Sequence, residues 1–179
     1  IICFIRKKAK VFWFTGLSGA GKSTIAVGAC KQLTTGGKKV TILDGDEIRD
    51  NMRVKLGFSP GDIEKNNLRI AKLCQRSQSS HDIIIVPIIS PFILLRQKVR
   101  DIIGKNYFEI YIKTSLSRVI KRDVKGLYKK ALNKEIENFI GIDPVVPFEP
   151  PKSPDLIIDT QNYDLNQSVE KLINFIKHK

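Results

Sequence analysis

Gly16-Leu17-Ser18-Gly19-Ala20-Gly21-Lys22-Ser23 is the stretch whose reading decides the fold. It fits G-x-x-x-x-G-K-[ST], a loop whose backbone N–H groups wrap a chain of phosphates. The motif carries weight only where a strand enters it and a helix leaves it, and both signals are present. Val11-Phe12-Trp13-Phe14 before it is short, apolar and rich in β-formers, as a buried strand should be. Thr24 to Leu33 after it can wind as a helix that opens at Lys22. Glycines let the loop's N–H groups turn inward without Cβ clashes, and the positive end of the helix dipole adds to them. On this reading Gly16, Ser18, Gly19, Ala20, Gly21 and Thr24 form the cradle of a nucleoside triphosphate, expected to be ATP. Lys22 reaches its β- and γ-phosphates, and the Ser23 hydroxyl ligates Mg²⁺.

The bulk properties set limits around that loop. A chain of 179 residues, 42% hydrophobic, supports one domain over 1–179 and is too short for two ordinary ones. Its longest apolar runs fall short of the ~20 residues of a membrane-spanning helix. Ile1–Ile5 is too short for a signal-peptide core and precedes its charges instead of following them. Cys3, Cys30 and Cys74 are odd in number and widely spaced, which fits free thiols in a reducing compartment, and a cytoplasmic location is expected. The net charge of +13 comes from scattered lysines, with only Arg6-Lys7-Lys8 and Lys129-Lys130 as short runs. Without an aromatic-interleaved stripe this reads as a solvated basic surface that draws in anionic nucleotides, with neither nucleic acid nor membrane as partner.

Outward from the loop, strands and helices alternate. Thr35-Gly36-Gly37 ends the first helix, and Lys39–Leu43 makes a second strand that runs into Asp44-Gly45-Asp46-Glu47-Ile48-Arg49. Ser59 as N-cap and Pro60 at the first position start a helix to about Ser77 that buries Ile63, Ile70, Leu73 and Cys74. Asp82–Ile89 is a third strand, apolar as a strand covered on both faces should be. A helix to about Gly104, a strand over Tyr107–Ile112, a helix over Leu116–Arg122, a short strand over Leu156–Ile158 and an amphipathic helix over Leu165–Lys177 complete the chain. The pattern specifies an α/β fold: a five-stranded parallel sheet with helices on both faces. From Lys125 to Pro154 periodicity fades and five prolines gather; a segment of that length beyond the fourth strand reads as a lid.

Phosphoryl transfer also needs a group to orient the acceptor. Asp44 and Asp46 lie just past the second strand, where open α/β sheets place their ligands. Asp46 is the better base, because Gly45 allows a bend toward the γ-phosphate; the other reading is that both carboxylates cap the helix that follows. The third strand ends in Ile88-Ile89-Ser90, without the usual strand-end acid, so one of Asp44 and Asp46 must share the metal with Ser23.

Together GLSGAGKST (16–24), DGDEIR (44–49), LGFS (56–59), ISP (89–91), RDVKGLYKKA (122–131) and GID (141–143) resemble the adenylylsulfate (APS) kinase family, in that family's order and over most of the chain. The resemblance implies a nucleoside-monophosphate-kinase-like P-loop fold and a homodimer. It also implies transfer of the ATP γ-phosphate to the 3′-hydroxyl of APS. Lys22, Asp46 and Ser90 take the catalytic positions. Ser90 matches a serine for which a phospho-enzyme role has been proposed, although direct transfer fits better here because no base adjoins it. Asp46, Arg49, Phe58, Asn66, Ile89, Ser90, Lys125 and Phe139 match acceptor-binding positions, and Arg122 an arginine that stacks on the ATP adenine.

Two departures keep the acceptor open. A family arginine that contacts the substrate is Ile63, and a family asparagine is Arg53. Losing one charge-assisted bond costs about 1.5–3 kcal/mol, and Arg53 or Arg69 are available to replace it. Ile63 either faces the pocket in the arginine's place or joins Ile70, seven residues on, along the core side of the helix. A pocket-facing Ile63 favours another acceptor, such as cytidine diphosphoramidate. A non-catalytic regulator is a third reading, opposed by the intact Gly21, Lys22, Ser23 and Asp46.

Overall fold

The computed structural model describes residues 7–51 and 56–179. β1 (Lys10–Thr15) enters the P-loop, α1 (Lys22–Thr35) leaves it, and β2 (Val40–Ile42) leads into α2 (Gly45–Asp50). α3 (Pro60–Ser77), β3 (Ile83–Val86), α4 (Ile93–Ile103) and a 3₁₀ turn over Gly104–Asn106 follow. Then come β4 (Tyr107–Lys113), α5 (Leu116–Arg122), α6 (Leu127–Leu132), β5 (Leu156–Asp159) and α7 (Leu165–Lys177). The five strands are all parallel, in the order β2-β3-β1-β4-β5. The P-loop strand is thus the centre of the sheet.

Alternation along β1 divides the core in two, because successive strand side chains point to opposite faces. Phe12 and Phe14, with Ile85, Ile110 and Ile112, pack against Ile25, Ala26 and Ala29 of α1 and Leu172 of α7. Val11 and Trp13, with Ile84 and Val86, pack against Ile70 and Cys74 of α3 and Val99 of α4. Burial of this kind contributes roughly 1.5–3 kcal/mol for each large apolar side chain. It fixes where β1 ends and the loop begins. Thr15 locks that end sideways: its Oγ1 donates to the carbonyls of Ile89 (2.7 Å) and Ser90 (3.0 Å).

Most sequence expectations hold to within a residue or two. Ser59 caps α3 by accepting from Asp62 N, with Pro60 in the first turn. Leu73 is an exception, only half-buried on the flank of α3. The third strand is shorter than its apolar run, since Pro87 has no N–H to continue a ladder and Ile88 turns to pack over α2.

The lid segment is more ordered than its composition suggested. It holds α6, whose ring Tyr128 is buried with Leu17 and Val119. Further along, Ile140 and Val146 form a small core with Ile63 and Leu95. Ile63, 1% exposed, therefore belongs to the core side of α3. The missing arginine is a packing exchange with the base of the lid. Arg53 lies outside the described residues. Cys30 and Cys74 are free thiols, and burial pushes the Cys74 thiol up to about 12.

Candidate active site

The P-loop turns at the carboxyl end of β1 because Gly19 and Gly21 hold φ of +72° and +97°. L-residues with side chains rarely enter that left-handed region. Lys22 closes the loop from inside: Nζ donates to the carbonyls of Gly16 (2.9 Å) and Leu17 (2.7 Å). Desolvation brings its pKa down to about 8, against the pull of Asp46.

Asp44 has two duties. As N-cap of α2 its Oδ1 accepts from Asp46 N at 2.9 Å, while its Oδ2 accepts from Ser23 Oγ at 2.7 Å. The capping reading therefore holds for Asp44, and Asp46 stands free of it in the first turn, exposed. Gly45 does not bend the chain as expected; it is helical and lies against Ile88, whose Cγ1 a Cβ would meet at 2.8 Å. That close approach brings α2 down onto the end of β3. The hydroxyl of Ser23 and the carboxylate of Asp44 are hard oxygens side by side, a donor set that suits Mg²⁺. Among the described residues no cluster of three His, Cys, Asp or Glu forms a protein-only cage. Water and phosphate oxygens commonly complete Mg²⁺ at such sites.

Two cavities meet beside Asp46. The smaller, about 260 Å³, follows the loop along Gly19, Gly21, Lys22, Ser23 and Thr24. The larger, about 470 Å³, lies between α2 and the lid, with Arg49 and Phe58 on one wall and Phe139 on another. Ser18, Asp46, Ile89 and Lys125 line both, so these four mark the junction. There Lys125 Nζ sits 3.5 Å from Asp46 Oδ2, with the two side chains 60% and 71% exposed. An exposed pair of this kind is weak, and a ligand entering the junction can part it.

The aromatic walls are arranged individually. The Arg49 guanidinium lies 4.1 Å over the Phe58 ring, and its Nη1 donates to Gly57 O at 2.9 Å. Phe58 is 45% exposed and so is not a core residue. Phe139 meets Tyr128 edge-to-face, centroids 4.9 Å apart. Tyr128 Oη in turn donates to the Ser18 carbonyl at 2.8 Å.

Other expected site residues stand back from these cavities. Gly16 and Ala20 are buried behind the loop. Ser90 is 1% exposed, with φ +45° and Oγ lacking a hydrogen-bond partner among the described residues; its carbonyl also accepts from Arg96 Nη1 at 2.8 Å. Asn66, also 1% exposed, has neither side-chain polar atom partnered among the described residues. Arg122 is exposed at the end of α5, in a shallow basin with Arg118 and Lys121. Sequence reasoning missed Leu127, Ile136, Glu137 and Asn138 on the wall of the larger cavity. Their place in the aperiodic segment hinted at them, and Leu127 also lay inside a quoted motif. It also passed over Tyr128, which lay inside a quoted motif without a role.

A family profile described as adenylylsulphate kinase matches residues 8–159. The chain is 42% identical over 174 residues to an adenylyl-sulfate kinase of Bacillus velezensis, covering 97% of this chain and 87% of the relative. It is 44% identical over 170 residues to one of Bacteroides thetaiotaomicron, covering 94% and 84%. The Mycobacterium tuberculosis APS kinase, solved in complex with AMPPNP and APS, superposes with a TM-score of 0.88 at 35% identity, over 95% of this chain and 98% of that one. A gluconokinase from Sinorhizobium meliloti, 13% identical with a TM-score of 0.63 over 97% and 94%, shares the fold alone.

Proposed function

The chain belongs to the adenylylsulphate kinase family, and on that premise we propose that it transfers the γ-phosphate of ATP to the 3′-hydroxyl of adenylyl sulfate. The observation that carries this reading is the meeting of two cavities at Asp46, one built for phosphates and one walled by a cation and two aromatic rings. Phosphoryl transfer demands little covalent chemistry from the protein, and its rate comes from alignment and charge stabilisation. The P-loop amides and Lys22 hold the triphosphate in the smaller cavity. Ser23 and Asp44 hold Mg²⁺, which when bound neutralises charge on the phosphate oxygens.

In the larger cavity Phe58 and Phe139 supply faces for the acceptor adenine, and Arg49 a permanent cation for its phosphosulfate. The acceptor hydroxyl then lies at the junction, where Asp46 orients it and takes its proton as the bond to phosphorus forms. Lys125, released from Asp46, stands beside the transferred group. Ser90 and Asn66 act from beneath this surface, and Arg122 stacks on the ATP adenine at the outer end. The cytidine acceptor loses its main support, because Ile63 faces the core and the pocket keeps Arg49. A homodimer remains part of this reading, although a hexameric APS kinase from Thiobacillus denitrificans is among the similar solved structures. Sedimentation analysis decides between the two assemblies.

The division of labour between the two aspartates gives the test. Asp46→Asn should lower kcat by ~10²-fold or more with nucleotide affinity nearly unchanged. Asp44→Asn should raise the Mg²⁺ concentration needed for half-maximal rate. If Asp46→Asn instead weakens only nucleotide or Mg²⁺ binding, Asp46 belongs to the metal and not to the acceptor.

A further inference from the structure

Tyr128 touches the walls of both cavities from behind. Its hydroxyl reaches the P-loop, at Ser18 O, and its ring reaches Phe139 on the wall of the larger cavity. It is 2% exposed and packs with Leu17 and Val119. Burial raises its pKa further above the usual phenol value, which keeps the hydroxyl a donor.

The bond to Ser18 has a consequence on the opposite side of the loop. In a planar trans peptide the C=O and the following N–H point in opposite directions. Drawing the Ser18 carbonyl toward Tyr128 therefore turns the Gly19 N–H the other way, and Gly19 lines the smaller cavity. Gly19, at φ +72°, has no side chain to resist other orientations of that peptide. The carbonyls of Gly16 and Leu17 are already held by Lys22. The peptide between Ser18 and Gly19 is held from the lid, by Tyr128.

We propose that Tyr128 is a positioning residue that couples occupancy of the larger cavity to the geometry of the phosphate cradle. A ring entering beside Phe139 fixes Phe139, Phe139 fixes the Tyr128 ring, and the hydroxyl then holds the Ser18–Gly19 peptide with its N–H presented to the phosphates. Each substrate thereby improves the site of the other. This inference rests on the assignment of the two cavities to ATP and adenylyl sulfate.

Tyr128→Phe keeps the ring and its contact with Phe139 and removes only the hydroxyl. The measurement is the affinity of a non-hydrolysable ATP analogue, by calorimetry, with and without adenylyl sulfate, alongside kcat and thermal midpoint. The expected result is a coupling ratio reduced about 3- to 10-fold and a kcat lowered by a similar factor. Acceptor affinity in the absence of nucleotide should stay as in wild type. In a double-mutant cycle with Phe139→Leu, the two losses of coupling should be non-additive, because both residues lie on one path. An unchanged coupling ratio in Tyr128→Phe overturns the proposal, as does a fall in thermal midpoint with all binding constants reduced alike. A wild-type protein that binds no adenylyl sulfate at all would instead refute the assignment of the larger cavity.

Discussion

Lys22 is the residue at which burial and chemistry conflict most directly. Its ammonium is held by two carbonyls, yet desolvation brings its pKa from 10.5 to about 8. The folded protein therefore releases this proton at lower pH than the unfolded chain does. The cost of the buried charge is fully present below about pH 8 and is relieved as pH rises toward 10.5, so this group makes stability rise with pH across that window. A bound triphosphate reverses the balance, because its negative charge favours the protonated lysine. Nucleotide binding between about pH 8 and 9 should accordingly take up a fraction of a proton. Calorimetry in two buffers of different ionisation enthalpy reads this directly. Lys22→Met should abolish both the uptake and turnover; uptake that persists in that variant would assign the titration elsewhere.

At the scale of elements, α3 shows what a helix face decides. Ile63 packs with Leu95, Ile140 and Val146, so it ties α3 to α4 and to the base of the lid. Ile63→Arg would place a charge in the apolar cluster of Leu95, Ile140 and Val146, and burying a charge there is strongly unfavourable. The thermal midpoint should fall by several degrees, with acceptor KM no better than wild type. A lower KM at unchanged stability would mean the side chain faces the acceptor after all. The sequence allowed both sides for Ile63, because its spacing from Ile70 fits the core face and its alignment fits the pocket. Contacts from Ile140 and Val146, more than seventy residues away, settle it, and no local pattern contains them. The strands and long helices were legible for the opposite reason: the short apolar run Val11-Phe12-Trp13-Phe14 and the Ser59-Pro60 start are local signals. α6 was not, since six residues are too few for a helical period to show. The aspartates were half legible. Their place after β2 marked both, but only the fold reveals that Asp44 turns to Ser23 and leaves Asp46 at the junction.

For the molecule as a whole, the central strand, the P-loop and the lid converge on one end of the sheet, and the chain carries 31 basic against 18 acidic side chains. Such an excess favours the approach of two polyanionic substrates. Among the described residues no helix is long and apolar enough to cross a membrane. The central claim is that the larger cavity receives adenylyl sulfate and that its 3′-hydroxyl meets the γ-phosphate at Asp46. The most direct measurement is ADP release from ATP and Mg²⁺ in the presence of adenylyl sulfate, other adenine nucleotides or cytidine nucleotides in turn, with ³¹P NMR of the product. The prediction is rapid turnover with adenylyl sulfate alone and a new phosphomonoester on its 3′-oxygen. Turnover confined to a cytidine nucleotide, or phosphorylation at any other position of adenylyl sulfate, would contradict it.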